Sequence, residues 1–352
     1  MRRVTTLFAT MAAATLALSA CGGGSSSSES SSSGAGASGS AVKVGLAYDI
    51  GGRGDKSFND SAAVGLDKAK TDLGIEFKEL SASQGETDAD KESRLRLLAQ
   101  GGYNPVIAVG FLYAAPLGKV AKEFPNTQFG IVDSSVEGAT NVTGLSFAEN
   151  EGSFLVGAAA ALTSKSKNIG FVGGCNIPLI QKFEAGYVAG AQAVDPAIKV
   201  QKKYISDPPN CPGFNDPATG EVTAKGMFDG GADVVYHAAG GSGTGVFKAA
   251  KAKGTGNWAI GVDSDQYQSA TADLKPFILT SMLKRVDVAV FDYIKASADG
   301  SPLKGDQVYD LKKDGVGYAT SGDHLTAVKA KLDEFKAKII AGEIKVPTTP
   351  TS

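Results

Sequence analysis

From position 42 onward, short apolar runs rich in β-branched residues alternate with longer stretches whose apolar positions recur every three to four residues. The runs at 42–48, 75–80, 106–109, 128–132 and 142–147 predict a first series of strands. Those at 168–172, 200–205, 233–237, 258–262 and 278–283 predict a second. Between strands, Ala62, Gly65, Leu66, Ala69 and Leu73, and likewise Leu95, Leu98 and Ala99, have helical spacing. Runs such as Val106-Ile107-Ala108-Val109 and Val234-Val235-Tyr236 are apolar at every position, as in strands covered by helices on both faces. Strand–helix alternation at this period predicts doubly wound α/β domains. Two series of similar length predict two similar lobes rather than one long sheet. The boundary is expected near 147–152, with a return near 262–284. That gives a first lobe of 42–148 plus about 263–300 and a second of 149–262 plus about 301–352. A last helix is expected over 324–341, with Leu325, Val328, Leu332, Phe335 and Ile339 at helical spacing, ending at Gly342 before a Pro-Thr-Thr-Pro tail.

The first forty residues follow another pattern. Arg2 and Arg3 precede an apolar stretch over 4–18, which ends in Leu18-Ser19-Ala20-Cys21. This reads as a bacterial export leader, 1–20, closed by a lipobox: the Cys21 thiol is joined to diacylglycerol and the chain is cut before it. The alternative is an uncleaved membrane span. Small residues ahead of the segment's one cysteine favour the lipoprotein. Its two or three acyl chains meet the two-anchor requirement for stable attachment. Residues 22–40 are almost all Gly, Ser and Ala, from which no core can be built. With Cys21 they form a tether over 21–41, with a coil reach of roughly 22–26 Å. The protein is expected to work outside the cytoplasmic membrane, held to it by lipid alone.

Composition narrows the class. Lys and Arg number 35 against 37 Asp and Glu, a formal charge of −2 that becomes −4 once Arg2 and Arg3 leave with the leader. No basic cluster stands out, so nucleic acid is not an expected partner. The roughly 330 residues after cleavage exceed the size at which one core usually divides. Cys175 and Cys211 are an even pair in an oxidising compartment. Bridging them would close a loop of about 36 residues, worth roughly 3–4 kcal/mol on the chain-entropy model. The alternative is two separate thiols.

Parallel α/β sheets place ligands at the carboxyl ends of their strands. The residues there are Asp49, Gly110-Phe111 and Asp133 in the first series, then Gly173-Gly174, Gly240-Gly241, Asp263 and Lys284 in the second. Singly, an Asp caps a helix, a Gly turns a chain and a Phe packs a core. Their recurrence at one topological place points to a ligand site. The loop Asp49-Ile50-Gly51-Gly52-Arg53-Gly54-Asp55-Lys56-Ser57-Phe58-Asn59 leads into a helix starting near Asn59. Ser57 or Asn59 is expected to cap it. Phe58 has no evident core neighbour and can offer a flat face to a ligand ring.

That segment resembles the signature of the basic membrane protein (Bmp) lipoproteins, substrate-binding components of ABC transporters whose best-understood type is the purine nucleoside receptor. The similarity continues through Val109-Gly110-Phe111, Ile131-Val132-Asp133, Phe183-Glu184-Ala185-Gly186-Tyr187, Val262-Asp263-Ser264-Asp265-Gln266, Ser281-Met282-Leu283-Lys284 and the ending Ile340 to Pro347. The resemblance implies a type I periplasmic-binding-protein fold, two Rossmann-like lobes joined by three crossovers with a nucleoside between them. It further implies an ABC permease and its ATPase as partners, no cofactor, and a monomer. Carried over position by position, it makes Asn59 and Asp133 the base-reading polar groups and Phe58 and Phe183 the aromatic walls, with Phe111 a further candidate. Gly240, Asp263 and Lys284 would hold the ribose hydroxyls, and Asp49 would line the cleft. The stretch 206–220 departs from the family's usual loop. Gly213-Phe214-Asn215-Asp216-Pro217 stands where a Gly-Trp-Asp-Asp-Pro-like run is common.

Enzyme chemistry finds little support. The two histidines, His237 and His324, lie far apart, and no Gly-x-Ser-x-Gly elbow is present. The glycine run from Gly240 to Gly245 lacks the Gly-Lys-Ser/Thr of a phosphate loop. Nothing in the Cys and His pattern suggests a zinc site. A ligand sensor that signals to a membrane partner would share all these features with a transport receptor.

Overall fold

Strands apolar on both faces become the inner strands of two six-stranded sheets. The computed structural model of the protein describes residues 42–350. The leader, the Cys21 lipidation site and the tether lie outside the described residues. The first series builds β1 (Lys43–Ala47), α1 (Phe58–Leu73), β2 (Glu76–Leu80), α2 (Asp88–Gln100), β3 (Val106–Val109), α3 (Ala114–Glu123), β4 (Phe129–Val132) and β5 (Val142–Phe147). Next come α4 (Glu149–Thr163), β6 (Asn168–Cys175), α5 (Pro178–Val194), β7 (Lys199–Ser206), α6 (Pro217–Asp229), β8 (Val234–Ala238), α7 (Gly243–Lys253) and β9 (Trp258–Asp263). The chain ends with α8 (Gln266–Ser269), β10 (Ile278–Lys284), α9 (Val286–Ala298), β11 (Gln307–Tyr309), β12 (Val316–Tyr318) and α10 (Lys329–Ile340).

The sheets run β11-β5-β4-β3-β1-β2 and β12-β10-β9-β8-β6-β7. Every pair is parallel except β10 with β12. The two orders correspond strand for strand, so β4 and β9 hold equivalent places. In β3, Ile107 and Val109 face the cluster with Leu66 of α1 and Ile294 of α9. Val106 and Ala108 face Leu98 of α2 and Leu117 of α3. In the second sheet, Val172 and Val235 meet Phe228 of α6 and Phe247 of α7, while Phe171 and Tyr236 face α4 and α5. Each fully buried side chain of this size contributes roughly 1.5–3 kcal/mol, so the two-sided burial decides the architecture.

The chain crosses between sheets three times: from β5 into α4, from β10 into α9, and between β11 and β12. α9 lies against α1 so closely that a Cβ at Gly65 would come 2.4 Å from the Asp287 carbonyl. The expected lobe boundaries are corrected here. β9 and β10 both belong to the second sheet, so the return begins at Arg285, not near 263, and β11 carries the first lobe's share to Tyr309, beyond 300. The physical reason is that β10 is buried on both faces along Ile278–Lys284, which keeps the chain in its sheet to the strand's last residue. The last helix also starts later than expected. Leu325 is buried in turns ahead of α10, which is capped by Ala341 and followed by Gly342 at a φ of +76°. Cys175, the final residue of β6, is disulfide-bonded to Cys211, their Cα atoms 5.2 Å apart.

Candidate functional site

The carboxyl ends of the two sheets meet around a cavity whose empty space, open mouth included, is about 540 Å³. All nine residues expected at the site line it: Asp49 after β1, Phe58 and Asn59 at the start of α1, Phe111 after β3, Asp133 after β4, Phe183 on α5, Gly240 after β8, Asp263 at the end of β9, and Lys284 at the end of β10. The lining also includes Asp55, Phe214, Ile50, Leu179, Ile180, Ala238 and Val262.

The loop before α1 is built around Asp55. Its carboxylate accepts from the backbone N–H of Ser57 (2.9 Å), Asn59 (2.9 Å) and Asp60 (3.1 Å), and from the Asn59 amide (3.0 Å). Asp55 thus satisfies the orphan donors of the helix N-terminus, where a negative charge is favoured. The expected capping is corrected accordingly: Ser57 holds the N-cap position without a side-chain cap bond. Its hydroxyl instead crosses the cleft and donates to Asp263 Oδ2 at 2.6 Å. Asn59 is almost wholly buried; its Oδ1 accepts from Asp49 N–H (3.0 Å), and its amide also donates to the Ile50 carbonyl (3.2 Å). Both amide protons are therefore committed to the loop, which holds Phe58 at the cavity wall. Sequence offered one clue to Asp55: an acid placed just ahead of a helix.

Asp133 and Asp263 follow equivalent strands, and both adopt left-handed backbone, with φ of 65° and 66°. Such conformations cost energy in non-glycine residues and cluster at functional sites. Lys284, 3 % exposed, bridges the two acids from the second lobe. Its Nζ lies 2.6 Å from Asp133 Oδ2 and 3.6 Å from Asp263 Oδ1. The ammonium also sits 4.6 Å from the centre of the Phe58 ring and 5.5 Å from those of Phe147 and Phe183. Burial alone would depress this lysine, but Asp133, Asp263 and Glu149 together raise it and keep it charged. Asp133 Oδ1 is buried without any partner, an acceptor that is costly to leave unpaired.

Burial pushes Asp49 up to about 7, against the opposing hydrogen bond from Ile50 N–H. Burial likewise pushes Asp55 to about 6 despite its backbone donors. Asp263 is raised by burial, with Lys284 and Ser57 pulling the other way. Glu149, the first residue of α4 and 1 % exposed, reaches about 7 through burial and the charge of Asp133, opposed by Lys284 and Lys182. It was not expected from sequence, where an acid beginning a helix reads as a dipole partner.

These raised carboxyls favour folding most at low pH, below their unfolded values near 4, and that contribution is lost as pH rises through about 7. His237 acts oppositely. Burial lowers it to about 3, so its contribution is complete above 6.5 and lost as pH falls toward 3. Glu149→Gln removes one of these carboxyls, together with its pairing to Lys182. Its stability relative to the parent chain is expected to improve between pH 5 and pH 8, by on the order of 2–3 kcal/mol. Urea unfolding at several pH values measures this, and a gap that stays constant across the range would contradict it.

The arrangement can bind: it sets aromatic faces beside carboxyl groups and one ammonium at the junction of the lobes. No group of three or more potential metal ligands occurs among the described residues. Nor does any helix among them have the length and apolarity to cross a membrane. Four carboxylates and one ammonium line the cavity with several aromatic rings, which suits an uncharged, flat guest rich in hydroxyl and amino donors.

Known proteins resemble the chain over most of its length. The model of the Bmp family, described as ABC transporter substrate-binding protein, PnrA-like, matches residues 41–350. The ABC transporter nucleoside-binding protein BmpA of Lactococcus lactis is 36% identical over 326 residues, covering 87% of this chain and 89% of that protein. An uncharacterised lipoprotein of Pyrococcus abyssi is 36% identical over 290 residues, 79% of this chain and 69% of its own length. Among solved structures, an ABC transporter solute-binding protein from Aeropyrum pernix K1 superimposes with a TM-score of 0.75 at 30% identity, covering 87% of this chain and 94% of that one. The two-lobed fold is that of type I periplasmic binding proteins, and the chain belongs to the Bmp family of ABC transporter substrate-binding proteins.

Proposed function

We propose that the protein binds a nucleoside, with a purine base, between its lobes and delivers it to an ABC permease powered by a cytoplasmic ATPase. The observation that carries this reading is the buried, unpartnered Asp133 Oδ1 in a cavity walled by Phe58 and Phe183. A base edge carries N–H donors for such an acceptor, and its faces suit the two rings. Adjacent ribose hydroxyls suit Asp263, since charge-assisted hydrogen bonds are the stronger kind. A guest touching both lobes favours the closed form by its differential contacts, and the three crossing segments serve as the hinge. Lipid on Cys21 would keep the receptor, as a monomer, at the outer face of the membrane, within tether reach of its permease.

Isothermal calorimetry on the chain from residue 22 onward tests the reading. Adenosine, guanosine or inosine is expected to bind with sub-micromolar Kd, and their 5′-monophosphates at least a hundredfold more weakly. The added charge would face four carboxylates in a poorly solvated cavity. Absence of heat with every nucleoside, purine and pyrimidine alike, would reject the proposal.

A further inference from the structure

The stretch between β7 and α6 is the one part of the second lobe's cleft edge held by a covalent bond. Cys211 is tied to the end of β6 through Cys175. Around it, Gly213 N–H donates to Ser206 Oγ (3.1 Å), and Ser206 Oγ donates to the Gly174 carbonyl (2.7 Å). Ser242 Oγ donates to the Gly213 carbonyl and accepts from Asp216 N–H, both at 2.7 Å. The loop is therefore fastened both at β6 and at the turn that follows β8. It presents Phe214, whose ring lies on Gly174 so closely that a Cβ there would come 2.5 Å from the ring edge.

Phe214 also lines the cavity and meets Phe111 of the first lobe edge to face, with centroids 6.2 Å apart and planes inclined at 66°. Both rings are partly exposed, which puts them at the rim rather than the floor. Among the aromatic contacts of the described residues, this pair spans the cleft. We infer that Phe111 and Phe214 form an aromatic gate across the cavity mouth that slows escape of the bound guest, and that the Cys175–Cys211 disulfide is the positioning element that sets Phe214 in place. The gate's effect on a ligand rests on the nucleoside reading above. A contact made only when the lobes are closed acts on release more than on capture, so the expected change is in koff.

The test compares the parent chain with Cys175→Ala/Cys211→Ala, Phe214→Ala, their combination, and Gly174→Ala, which displaces the ring while leaving the disulfide intact. Dissociation of adenosine, guanosine or inosine is followed by stopped flow. Each change is expected to speed release about threefold to tenfold, with association within twofold of the parent; an edge-to-face pair accounts for that size. The combined variant should release no faster than Phe214→Ala alone, because both act on one gate. A purely structural disulfide would give effects that multiply, and that outcome overturns the inference, as does an unchanged koff in Phe214→Ala. A second measurement needs no ligand. Hydrogen exchange at residues 111–113, on the opposite lobe, should rise in Phe214→Ala and Gly174→Ala while β3 stays protected. Should the parent bind no nucleoside, the proposed function fails, and the exchange result alone decides the gate: unchanged exchange at 111–113 rejects it.

Discussion

Asp263→Ala is expected to weaken nucleoside binding thirty- to a hundredfold while leaving the chain folded. The carboxylate is 5 % exposed and lies where the lobes meet, accepting from Ser57 Oγ across the cleft and facing Lys284. Removing an ionised partner of buried hydroxyls costs about 2–3 kcal/mol, which is the stated range in Kd. Part of that loss has another origin. Residue 263 has a φ of 66°, a conformation that Asp and Asn tolerate and Ala does not. Asp263→Asn keeps the backbone preference and the shape, so the difference between the Asn and Ala variants separates charge from strain. The fold survives either change because Lys284 retains Asp133, and Ser57 Oγ retains the Val262 carbonyl at 3.3 Å. Calorimetry with the same nucleoside on all three proteins measures this. Equal affinity in Asp263→Ala and the parent would remove Asp263 from the binding surface.

The site was legible in sequence to the extent that it follows from topology. Strands buried on both faces announce themselves as unbroken apolar runs, and the residues after such strands must gather at one sheet edge. Asp49, Phe111, Asp133, Gly240, Asp263 and Lys284 stand at such strand ends and line the cavity. β11 and β12 escaped notice because three-residue edge strands have too little pattern to separate from loop. The lobe assignment of β10 escaped for a different reason: periodicity tells that a strand is buried, not which sheet buries it. Asp55 and Glu149 were hidden because an acid at a helix start has an ordinary explanation. Only the folded chain shows that Asp55 organises the loop, or that Glu149 lies beside Lys284 without solvent. Asn59 illustrates the converse. Its position matched a ligand-reading residue, yet in this conformation its amide is spent on Ile50 and Asp55.

Gly190→Ala is expected to destabilise the second lobe by about 3 kcal/mol or more, although it adds a single methyl group to a helix. α4 and α5 approach each other through small residues. A Cβ at Gly190 would stand 1.9 Å from the Phe154 carbonyl oxygen, one at Gly186 2.1 Å from that of Asn150, and one at Gly157 2.1 Å from that of Tyr187. These obstacles are backbone atoms, which cannot swing aside as a flexible side chain would, so the helices themselves must part. Overpacking of a close-packed interior typically costs 1–3 kcal/mol, and rigid neighbours put this site at the upper end or beyond. The same helices carry Glu149 and Phe183, so any parting also shifts the cavity wall. Gly226 on α6 supplies the contrast: a Cβ there meets nothing within 4 Å. With no clash, Gly226→Ala is expected to stabilise by roughly 0.5–1 kcal/mol, because alanine loses less backbone freedom on entering a helix. Urea unfolding of the two variants therefore should move in opposite directions from the parent. If Gly190→Ala unfolds at the parent's midpoint, the close approach of α4 and α5 is not what holds that lobe together.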